Sequence, residues 1–554
     1  MRIDLSSTSY LLENNKNWNF LEDQKKINFS NYGEIFSFRK KSKIENNYDI
    51  KIIFLADILD FHSTENIKKN YKKLINIINT IKKNLLFSKN PIIVGVSNYQ
   101  YFNIIENTKN KNSQKILKEF FFEELYKVVK KFNNLYIIDI DEVYSEHGLK
   151  NCFDNRNYYL SRCRLSYFGI EILAKNLKKI LNRIKNPNKK VLLLDCDNTL
   201  WGGVVAEDGI DKIKIQNEGE GFAFYDFQKT IKKIKNLGIL LVLVSKNNHE
   251  DVINVFKKRK SMILELKDIA FFKINWKEKT TNIIELAKDL DLGLESFAFW
   301  DDNPIEREKV RINLKTVEVI EPDLDISNWS KQLLEYQGFS KFNLTASDKR
   351  KTKYYHQRAK FIVNKNKFKD EKDYLRSIKP KATIKKLNQT NLDRAVQMTQ
   401  KTNQFNLSTK RYNHSDILKL KKNYEFYLIN LKDNYGDHGI IGIIFLKIFK
   451  NKIILIDTFL MSCRVLGRYL ENWILDQVKK IAKKNSIKYI AAEYVASERN
   501  KIVNDFLKKN NFKKKKFGQI AQRFKLDPSF FDNKNTDYFL TQTKKKVTDL
   551  DIYE

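Results

Sequence analysis

Two aspartates, Asp195 and Asp197, directly follow a short apolar run at 191–194. Four consecutive apolar residues are typical of a strand that is buried on both faces. Because alternate residues of a strand point to the same side, both carboxylates leave the strand end together. One carboxylate can then attack phosphorus while the other handles the proton of the leaving group. The alternative is an ordinary acidic turn, since Asp-Asn-Thr at 197–199 is also common in loops.

The residues downstream favour the chemical interpretation. Two further apolar runs, 239–244 and 297–300, alternate with helix-like stretches such as 222–237. This alternation predicts a parallel sheet with right-handed crossovers, and the carboxyl ends of its strands meet at one edge. The polar residues that follow these runs, or lie in a short loop between them, are Ser245, Lys279, Asp301 and Asp302. That edge therefore gathers two carboxylates, a hydroxyl, a cation and an acidic pair that can bind a metal.

This series of motifs resembles the haloacid dehalogenase (HAD) superfamily of phosphatases and phosphotransferases. The resemblance implies that Asp195 is the nucleophile and Asp197 the general acid/base. It also implies that Ser245 and Lys279 hold the phosphoryl oxygens, and that Asp301 and Asp302 are further metal ligands. Mg²⁺ is the expected metal, also held by Asp195 and the backbone carbonyl of Asp197, because it prefers carboxylate and water oxygens. Lys277 is the alternative to Lys279, since both lie in one short loop.

The resemblance narrows to the FkbH-like branch of this superfamily. Three stretches carry it: Asp-Asn-Thr-Leu-Trp-Gly-Gly-Val-Val-Ala-Glu-Asp-Gly at 197–209, Ser-Lys-Asn-Asn at 245–248 and Asp-Asp-Asn-Pro-Ile-Glu-Arg at 301–307. The residues of these stretches that we expect to bind substrate are Thr199 and Asn247. Members of the branch load a glyceryl unit from 1,3-bisphosphoglycerate onto an acyl carrier protein, with loss of phosphate. They have no large cap domain, and only a flap at 201–208 and the stretch 222–237 separate the first two motifs here.

Beyond about residue 380 the pattern changes to α+β. Alternating strand-like and helix-like stretches lie at 382–387, 391–402, 424–431, 439–449, 452–461, 469–484, 489–495 and 498–509. At the start of the helix at 469–484, backbone amides together with an arginine can hold a phosphate. The order resembles the GNAT acyltransferase fold, whose Arg/Gln-x-x-Gly-x-Gly/Ala loop binds the pyrophosphate of coenzyme A. Arg464 and Gly467 match, Arg468 is also expected to contact the phosphate, and a simple helix cap is the alternative.

Amide and thiol side chains of the same region are further candidates. The amides expected to bind a hydroxyacyl group are Asn403, Gln404 and Asn406, although surface-loop chemistry explains this run equally well. Cys463 is followed by Arg464 and Arg468 near a helix start, which favours its thiolate, and we expect it to carry the acyl group. A small buried residue at a strand end is the alternative for Cys463. Cys163 is the alternative thiol, whereas Cys196 should point into the core.

Residues 1–188 form another α/β pattern, with strand-like runs at 51–55, 91–96 and 135–139. FkbH-like proteins often carry a domain here that resembles the SGNH hydrolase fold. No Gly-Asp-Ser follows the first strand and no Asp-x-x-His precedes the last helix, so we expect a scaffold or docking surface. The predicted order is an SGNH-like domain at 1–188, an uncapped Rossmann-like HAD domain at 189–336, a polar helical linker with few core positions at 337–379, an α+β GNAT-like domain at 380–526 and a polar tail at 527–554.

The 554 residues carry a formal net charge of +36, from 103 basic and 67 acidic side chains. A basic surface can favour nucleic acid, membranes or an acidic protein. No aromatic–basic motif or Cys/His finger spacing accompanies the charge, so we expect no nucleic-acid partner. Four cysteines in this length argue against a disulfide framework. No signal-peptide pattern and no apolar run of ~20 residues is present, so we expect a cytoplasmic protein without a membrane span.

The sequence thus predicts an α/β multidomain enzyme, a bifunctional glyceryltransferase and phosphatase. The resemblance implies that 1,3-bisphosphoglycerate and a carrier-protein thiol give a glyceryl thioester and two phosphates, through a phosphoaspartyl intermediate. Expected cofactors are Mg²⁺ and either the phosphopantetheine of the carrier or coenzyme A. One alternative is a HAD phosphatase fused to an acyl-CoA-dependent N-acetyltransferase of surface-polysaccharide or secondary-metabolite biosynthesis. A non-enzymatic scaffold that docks carrier proteins is the other.

Overall fold

The structure is a computed structural model that describes most of the chain. The described ranges are 1–30, 48–56, 67–88, 90–97, 113–132, 134–186, 188–340, 351–365, 370–402, 404–421, 423–449, 453–462, 465–497, 500–515 and 536–542. The chain forms two compact units, an N-terminal unit of Met1–Asn186 with Asn413–Ser415 and a C-terminal unit of Pro187–Tyr412 and Asp416–Glu554. Within the described ranges, no helix combines the length and the apolar character that a membrane span requires.

The N-terminal unit contains a parallel sheet with the spatial order β2-β1-β3-β4-β5. Its strands are β1 (Ile3–Ser7), β2 (Ile27–Phe29), β3 (Ile50–Ala56), β4 (Ile92–Ser97) and β5 (Leu135–Asp139). Its helices are α1 (Ile67–Phe87), α2 (Ser113–Val129), α3 (Ile140–Ser145), α4 (Leu149–Cys152), α5 (Asn155–Ser161) and α6 (Tyr167–Lys185). Neighbouring β3 residues pack on opposite faces, Ile53 with Leu74 of α1 and Ile52 with Leu173 of α6, so both faces need apolar side chains. The predicted α/β pattern is confirmed, and the structure adds β1 and β2.

The first part of the C-terminal unit is also a parallel sheet, with the order β10-β9-β6-β7-β8. Its strands are β6 (Val191–Leu194), β7 (Leu240–Ser245), β8 (Ile269–Ile274), β9 (Phe297–Trp300) and β10 (Glu318–Val319). Its helices are α7 (Val205–Asp208), α8 (Phe222–Asn236), α9 (His249–Lys258), α10 (Lys279–Leu290), α11 (Pro304–Asn313) and α12 (Trp329–Glu335). Residues 195–239 are all described and hold α7 and α8 without an inserted domain. The predicted uncapped α/β fold is confirmed.

The second part is a mixed sheet with the order β11-β13-β14-β15-β16-β18-β17. Its strands are β11 (Lys381–Lys386), β12 (Phe405–Asn406), β13 (Glu425–Asp433), β14 (Gly436–Phe449), β15 (Ile453–Met461), β16 (Tyr489–Val495), β17 (Lys513–Lys515) and β18 (Thr536–Gln542). The helices of this part of the chain are α13 (Lys351–Lys365), α14 (Glu371–Ser377), α15 (Leu392–Lys401), α16 (His414–Leu420), α17 (Leu470–Lys484) and α18 (Lys501–Lys509). β15 and β16 are parallel and pair only from Ile453 to Ile456, and β12 pairs with the far end of β15. The α+β prediction is confirmed.

Two predictions about the segments that flank the mixed sheet are wrong. The helical character predicted for residues 337–379 is present in α13 and α14. The expected scarcity of core positions is wrong, because Tyr355 packs in the core beside the parallel sheet and Phe361 packs in the core of the mixed sheet. The segment is therefore a packing layer rather than a solvated linker. The predicted tail at 527–554 includes β18, which pairs with β16 and β17. Backbone groups along β16 need hydrogen-bond partners, and a polar sequence can supply them as well as an apolar one.

Candidate active site

The candidate site lies at the carboxyl end of the parallel sheet, where the strand order reverses. β7 and β8 lie on one side of β6, whereas β9 and β10 lie on the other. Open α/β sheets bind ligands in the crevice that forms at such a reversal. Asp195 follows β6 and Asp301 follows β9, and the Asp195 amide donates to the Trp300 carbonyl at 3.2 Å. The two aspartates therefore lie on adjacent strand ends at the reversal.

Three carboxylates meet at this point, and we call Asp195, Asp301 and Asp302 the carboxylate cluster. One oxygen of each lies within 4.8 Å of one oxygen of each of the others. Asp195 and Asp301 are buried, so water screens their mutual repulsion only weakly. An oxygen-only donor set at this spacing fits Mg²⁺, which binds carboxylate and water oxygens in near-octahedral geometry. The residues present therefore fit the metal that the sequence predicts.

Lys279 places a positive charge inside the cluster. It is the first residue of α10, and its Nζ lies 2.6 Å from Asp301 Oδ2 and 3.0 Å from Asp195 Oδ1. Burial acts to lower the pKa of Lys279, but the charges of Asp195 and Asp301 raise it above the usual value, so the side chain is an ammonium ion. The alternative lysine, Lys277, is 61% exposed and pairs with Glu285 at 3.1 Å. The structure thus brings Lys279 into the site and leaves Lys277 outside it.

The acidic pair that follows β9 holds protons more tightly than ordinary carboxylates. Burial, followed by the negative charge of Asp195, raises the pKa of both Asp301 and Asp302. Lys279 opposes the shift at Asp301 by its charge and its hydrogen bond. A divalent cation at this position therefore competes with protons for the same oxygens.

Two side chains position the acidic pair. Thr199 donates its hydroxyl to Asp302 Oδ1 at 3.0 Å and accepts from the Asp302 amide at 3.3 Å. Arg307 is buried and donates from Nη1 to the carbonyls of Asp301 and Asp302, at 2.9 and 2.7 Å. The hydroxyl of Thr199 thus bonds to Asp302 of the predicted metal-binding pair, and its substrate contact stays a prediction.

Asp197 accepts hydrogen bonds at both carboxylate oxygens. The indole N–H of Trp201 and the amide of Val205 donate to Oδ1 at 2.9 and 3.1 Å, and Asn247 Nδ2 donates to Oδ2 at 2.6 Å. Burial raises the pKa of Asp197 although these hydrogen bonds oppose the shift. A raised pKa suits a group that must give and take a proton near neutral pH. Through its hydrogen bond to Oδ2, Asn247 contacts the residue that is predicted to be the general acid/base.

Ser245 ends β7, next to β6, and is buried at the same edge of the sheet. The following residue, Lys246, ties the surrounding loops together. Its Nζ lies 3.0 Å from Glu278 Oε1 and 3.1 Å from Glu306 Oε1. These carboxylates precede α10 and lie in the first turn of α11, so three loops that carry site residues share one ion-pair network.

The predicted phosphate loop after β15 is described only in part. Asn403, Cys463 and Arg464 lie outside the described residues. Gly467 has a φ of +79°, a conformation that favours glycine. Arg468 is buried, and its guanidinium contacts the carboxylate of Asp433 and lies 4.3 Å from the ring centre of Phe361. The fold itself therefore engages Arg468, and its contact with a phosphate stays a prediction.

The other predicted residues of this region also make contacts within the fold. Gln404 donates from Nε2 to Asp291 Oδ1 at 3.0 Å, and Asn406 Nδ2 donates to the Thr402 carbonyl at 3.0 Å. Cys163 is a free, buried thiol, and burial raises its pKa to about 11. That shift disfavours the thiolate that acyl transfer needs. Cys196 is buried in the core, as the sequence predicts.

A second buried charged group, absent from our sequence predictions, lies where β15 and β16 diverge. Lys410 contacts the carboxylates of Asp457 and Glu493, both buried, and Tyr412 donates its hydroxyl to Asp457 Oδ2 at 2.7 Å. The sequence offers only one hint of this group, which is that residues 410–412 closely follow the Asn-Gln-Phe-Asn run. Sequence reasoning also gave no role to Trp201 and Arg307, although both lie within stretches that carry the resemblance.

The structure is similar to solved structures of two kinds. The N-terminal part of BF1531 from Bacteroides fragilis, which contains a phosphatase domain and was solved with Mg, matches at 26% identity and a TM-score of 0.50. That match covers 63% of this chain and 94% of the other. A GNAT-family acetyltransferase from Staphylococcus aureus Mu50 matches at 18% identity over 29% of this chain and 99% of its own, with a TM-score of 0.24.

A third structure, the PaiA N-acetyltransferase of Thermoplasma acidophilum in complex with coenzyme A, matches at 15% identity and a TM-score of 0.22. It covers 29% of this chain and 98% of its own length. Neither a protein-family model nor a curated protein matches the chain. Over most of its length, then, the chain is similar to a protein that contains a phosphatase domain.

Proposed function

We propose that the chain is an FkbH-like, Mg²⁺-dependent glyceryltransferase and phosphatase. It takes a glyceryl or similar hydroxyacyl unit from 1,3-bisphosphoglycerate, loads it onto an acyl carrier protein and removes phosphate. The observation that carries this proposal is the carboxylate cluster with Lys279 at the reversal of strand order. The similarity to BF1531, whose N-terminal part contains a phosphatase domain complexed with Mg, supports it.

The phosphatase step uses the side chains at the edge of the parallel sheet. Asp195 attacks phosphorus, and the bond from phosphorus to the ester oxygen breaks. Asp197 gives the leaving oxygen a proton and later takes one from the water that hydrolyses the phosphoaspartyl group. Lys279 and Ser245 hold the phosphoryl oxygens. The carboxylate cluster and the backbone carbonyl of Asp197 would hold Mg²⁺, whose positive charge would offset the repulsion between Asp195 and the phosphoryl group.

The acyl-transfer step needs less catalytic power. An acyl phosphate is already activated toward a thiol, whereas phosphate monoesters are among the slowest bonds to hydrolyse. The thiol sulfur bonds to the acyl carbon and phosphate leaves; one water then removes the second phosphate. One bisphosphoglycerate, one thiol and one water thus give a glyceryl thioester and two phosphates. We assign to Cys463 the thiol that first accepts the glyceryl unit. The pantetheine thiol of the carrier then attacks this thioester, takes over the glyceryl unit and releases the Cys463 thiol. We assign the contact with the pantetheine phosphate to Arg464 and Gly467, and the contact with the hydroxyacyl group to Asn403, Gln404 and Asn406.

Intact mass spectrometry of candidate carrier proteins tests this proposal directly. The carrier is incubated with enzyme, Mg²⁺ and 1,3-bisphosphoglycerate, and we expect its mass to rise by one glyceryl group. With Asp195→Asn, release of phosphate from the monoester should fall by about 10³-fold or more, so the carrier should instead gain a phosphoglyceryl group. A folded Asp195→Asn protein that releases phosphate within tenfold of wild type would overturn the phosphatase assignment.

The same assay separates the other candidates. If the chain is a HAD phosphatase fused to an acyl-CoA-dependent N-acetyltransferase, acetyl-coenzyme A and an amine will be consumed and no carrier will be loaded. A docking scaffold will bind carrier protein without changing its mass and will release no phosphate.

A further inference from the structure

Trp201 is a fully buried side chain whose one polar atom faces a carboxylate. Its exposed fraction is 0%, and its ring packs edge-on against Phe256 at a centroid distance of 6.4 Å. A buried tryptophan needs one hydrogen-bond acceptor for its indole N–H. That acceptor is Asp197 Oδ1, at 2.9 Å. The core therefore fixes the indole, and the indole fixes one oxygen of Asp197.

The backbone around Asp197 holds the two residues in register. Asn198 has a φ of +50°, and the amides of Thr199 and Leu200 both donate to the Cys196 carbonyl, at 3.2 and 2.8 Å. This tight turn brings the Trp201 backbone beside that of Asp197, where the two form an isolated β-bridge. The turn thus places the Trp201 side chain beside Asp197.

The carboxylate of an aspartate turns easily about the bond that joins it to Cβ, so hydrogen-bond partners are needed to fix its plane. Asp197 has two donors at Oδ1, from Trp201 and Val205, and one at Oδ2, from Asn247. Without the indole N–H, Oδ1 keeps a single backbone donor. Proton transfer requires the carboxyl group within hydrogen-bond reach of the leaving oxygen, so a loss of orientation slows this transfer more than it weakens substrate binding.

We propose that the indole N–H of Trp201 is a positioning group for proton transfer by Asp197 to the leaving oxygen. This inference rests on the proposed function, in which Asp197 is the general acid/base. It assigns to Trp201 a role in one chemical step, distinct from its packing in the core.

The test compares two substrates that differ in how much they need that proton. The leaving group of an alkyl phosphate is a strongly basic alkoxide, whereas the leaving group of para-nitrophenyl phosphate is a stable phenolate. The ratio kcat/KM reports the steps up to release of the leaving group, and it excludes the later hydrolysis of the phosphoaspartyl group that both substrates share. For Trp201→Phe we expect kcat/KM on the alkyl phosphate to fall about tenfold, part of the ~10²–10⁴-fold that general acid catalysis supplies. On para-nitrophenyl phosphate we expect kcat/KM to fall by less than about threefold.

Trp300→Phe is the matched control. Trp300 is equally buried and precedes Asp301, but its Nε1 has no hydrogen-bond partner among the described residues. Its replacement removes the same volume from the core without removing a donor to Asp197. We therefore expect Trp300→Phe to affect both substrates by the same factor. As a second variant that keeps the ring volume, Trp201 can be replaced by benzothienylalanine, which has sulfur in place of the N–H.

Each outcome decides between specific statements. Equal losses of kcat/KM on the two substrates, in Trp201→Phe or in the benzothienyl variant, would overturn the role of Trp201 and leave the proposed function standing. A leaving-group dependence as large in Trp300→Phe would do the same. A folded wild-type enzyme that hydrolyses neither substrate with Mg²⁺ would overturn the proposed function and this inference together.

Discussion

Replacing Lys279 by methionine should destabilise the protein strongly when no divalent cation is present. Two carboxylate oxygens that lie within 4.8 Å of each other repel by about 3.5 kcal/mol or more at an effective dielectric constant of about 20. Lys279 is 3% exposed and contacts two members of the carboxylate cluster. Removing one partner of a buried ion pair costs about 3–5 kcal/mol, because it leaves uncompensated charge. We therefore expect Tm to fall by about 10 °C in EDTA.

The assay is thermal unfolding of wild type and Lys279→Met in EDTA and with Mg²⁺. A bound cation takes over the neutralising charge of the lysine, so Mg²⁺ should raise the Tm of the variant more than that of wild type. Phosphatase activity should stay lost, because we propose that Lys279 also holds the phosphoryl group. Lys277→Met is the control from the same loop; its side chain is 61% exposed, and we expect a Tm change within about 1 °C.

The pH dependence follows from the pKa shift of Asp301. Burial and the charge of Asp195 raise this pKa in the folded protein. The folded state therefore binds the proton more tightly than the unfolded chain, and stability falls as pH rises from the ordinary carboxyl range toward the raised value. Loss of Lys279 removes the charge that opposes this shift, so the variant should lose more Tm at about pH 8 than at about pH 5. An unchanged Tm in EDTA, or an equal loss in Lys277→Met, would refute the reasoning.

Further predictions concern the metal, the buried charged group around Lys410 and the loop after β15. Phosphatase activity should vanish in EDTA and return with Mg²⁺ or Mn²⁺; full turnover after chelation would contradict this. Thermal-shift titrations should give weaker Mg²⁺ binding at about pH 6 than at about pH 8, because protons compete with the cation for the carboxylate oxygens. Lys410→Met should lower stability by about 3 kcal/mol in urea unfolding, since it strands two buried carboxylates. Arg464→Ala should slow carrier loading but spare hydrolysis of small phosphate monoesters, and Cys463→Ala should abolish any covalent acyl-enzyme mass; an adduct that persists would assign the relay elsewhere.

Parallel strands such as β6, β7 and β9 could be predicted because their signal is local. A strand buried on both faces is a continuous apolar run, as in β6 and β9, and carboxylates directly after such runs must meet at one edge. The choice of Lys279 over Lys277 could not be made this way. Both lie in one loop, and only the start of α10 at Lys279 directs that ammonium to Asp195 and Asp301.

β1 shows why another part of the fold was missed. Its sequence, Ile-Asp-Leu-Ser-Ser, has no long apolar run, yet all five residues are buried. Asp4 is buried because Lys51 and Ser30 supply an ion pair at 3.0 Å and a hydrogen bond at 2.9 Å. These partners lie 47 and 26 residues away along the chain, so the strand is specified by tertiary contacts that local patterning does not contain.

Residue type alone also fails to separate a binding residue from one that completes the fold. Arg468 and Asn406 have the donors that a phosphate or a hydroxyacyl group requires, yet the fold uses them, Arg468 on Asp433 and Asn406 on the Thr402 carbonyl. The carboxylate cluster differs in a way that geometry can show. Its members repel one another, one lysine compensates their charge only in part, and their oxygens are spaced as metal ligands are. A protein keeps mutually repelling buried groups together where a ligand offsets the repulsion, and that makes this cluster the centre of the proposed chemistry.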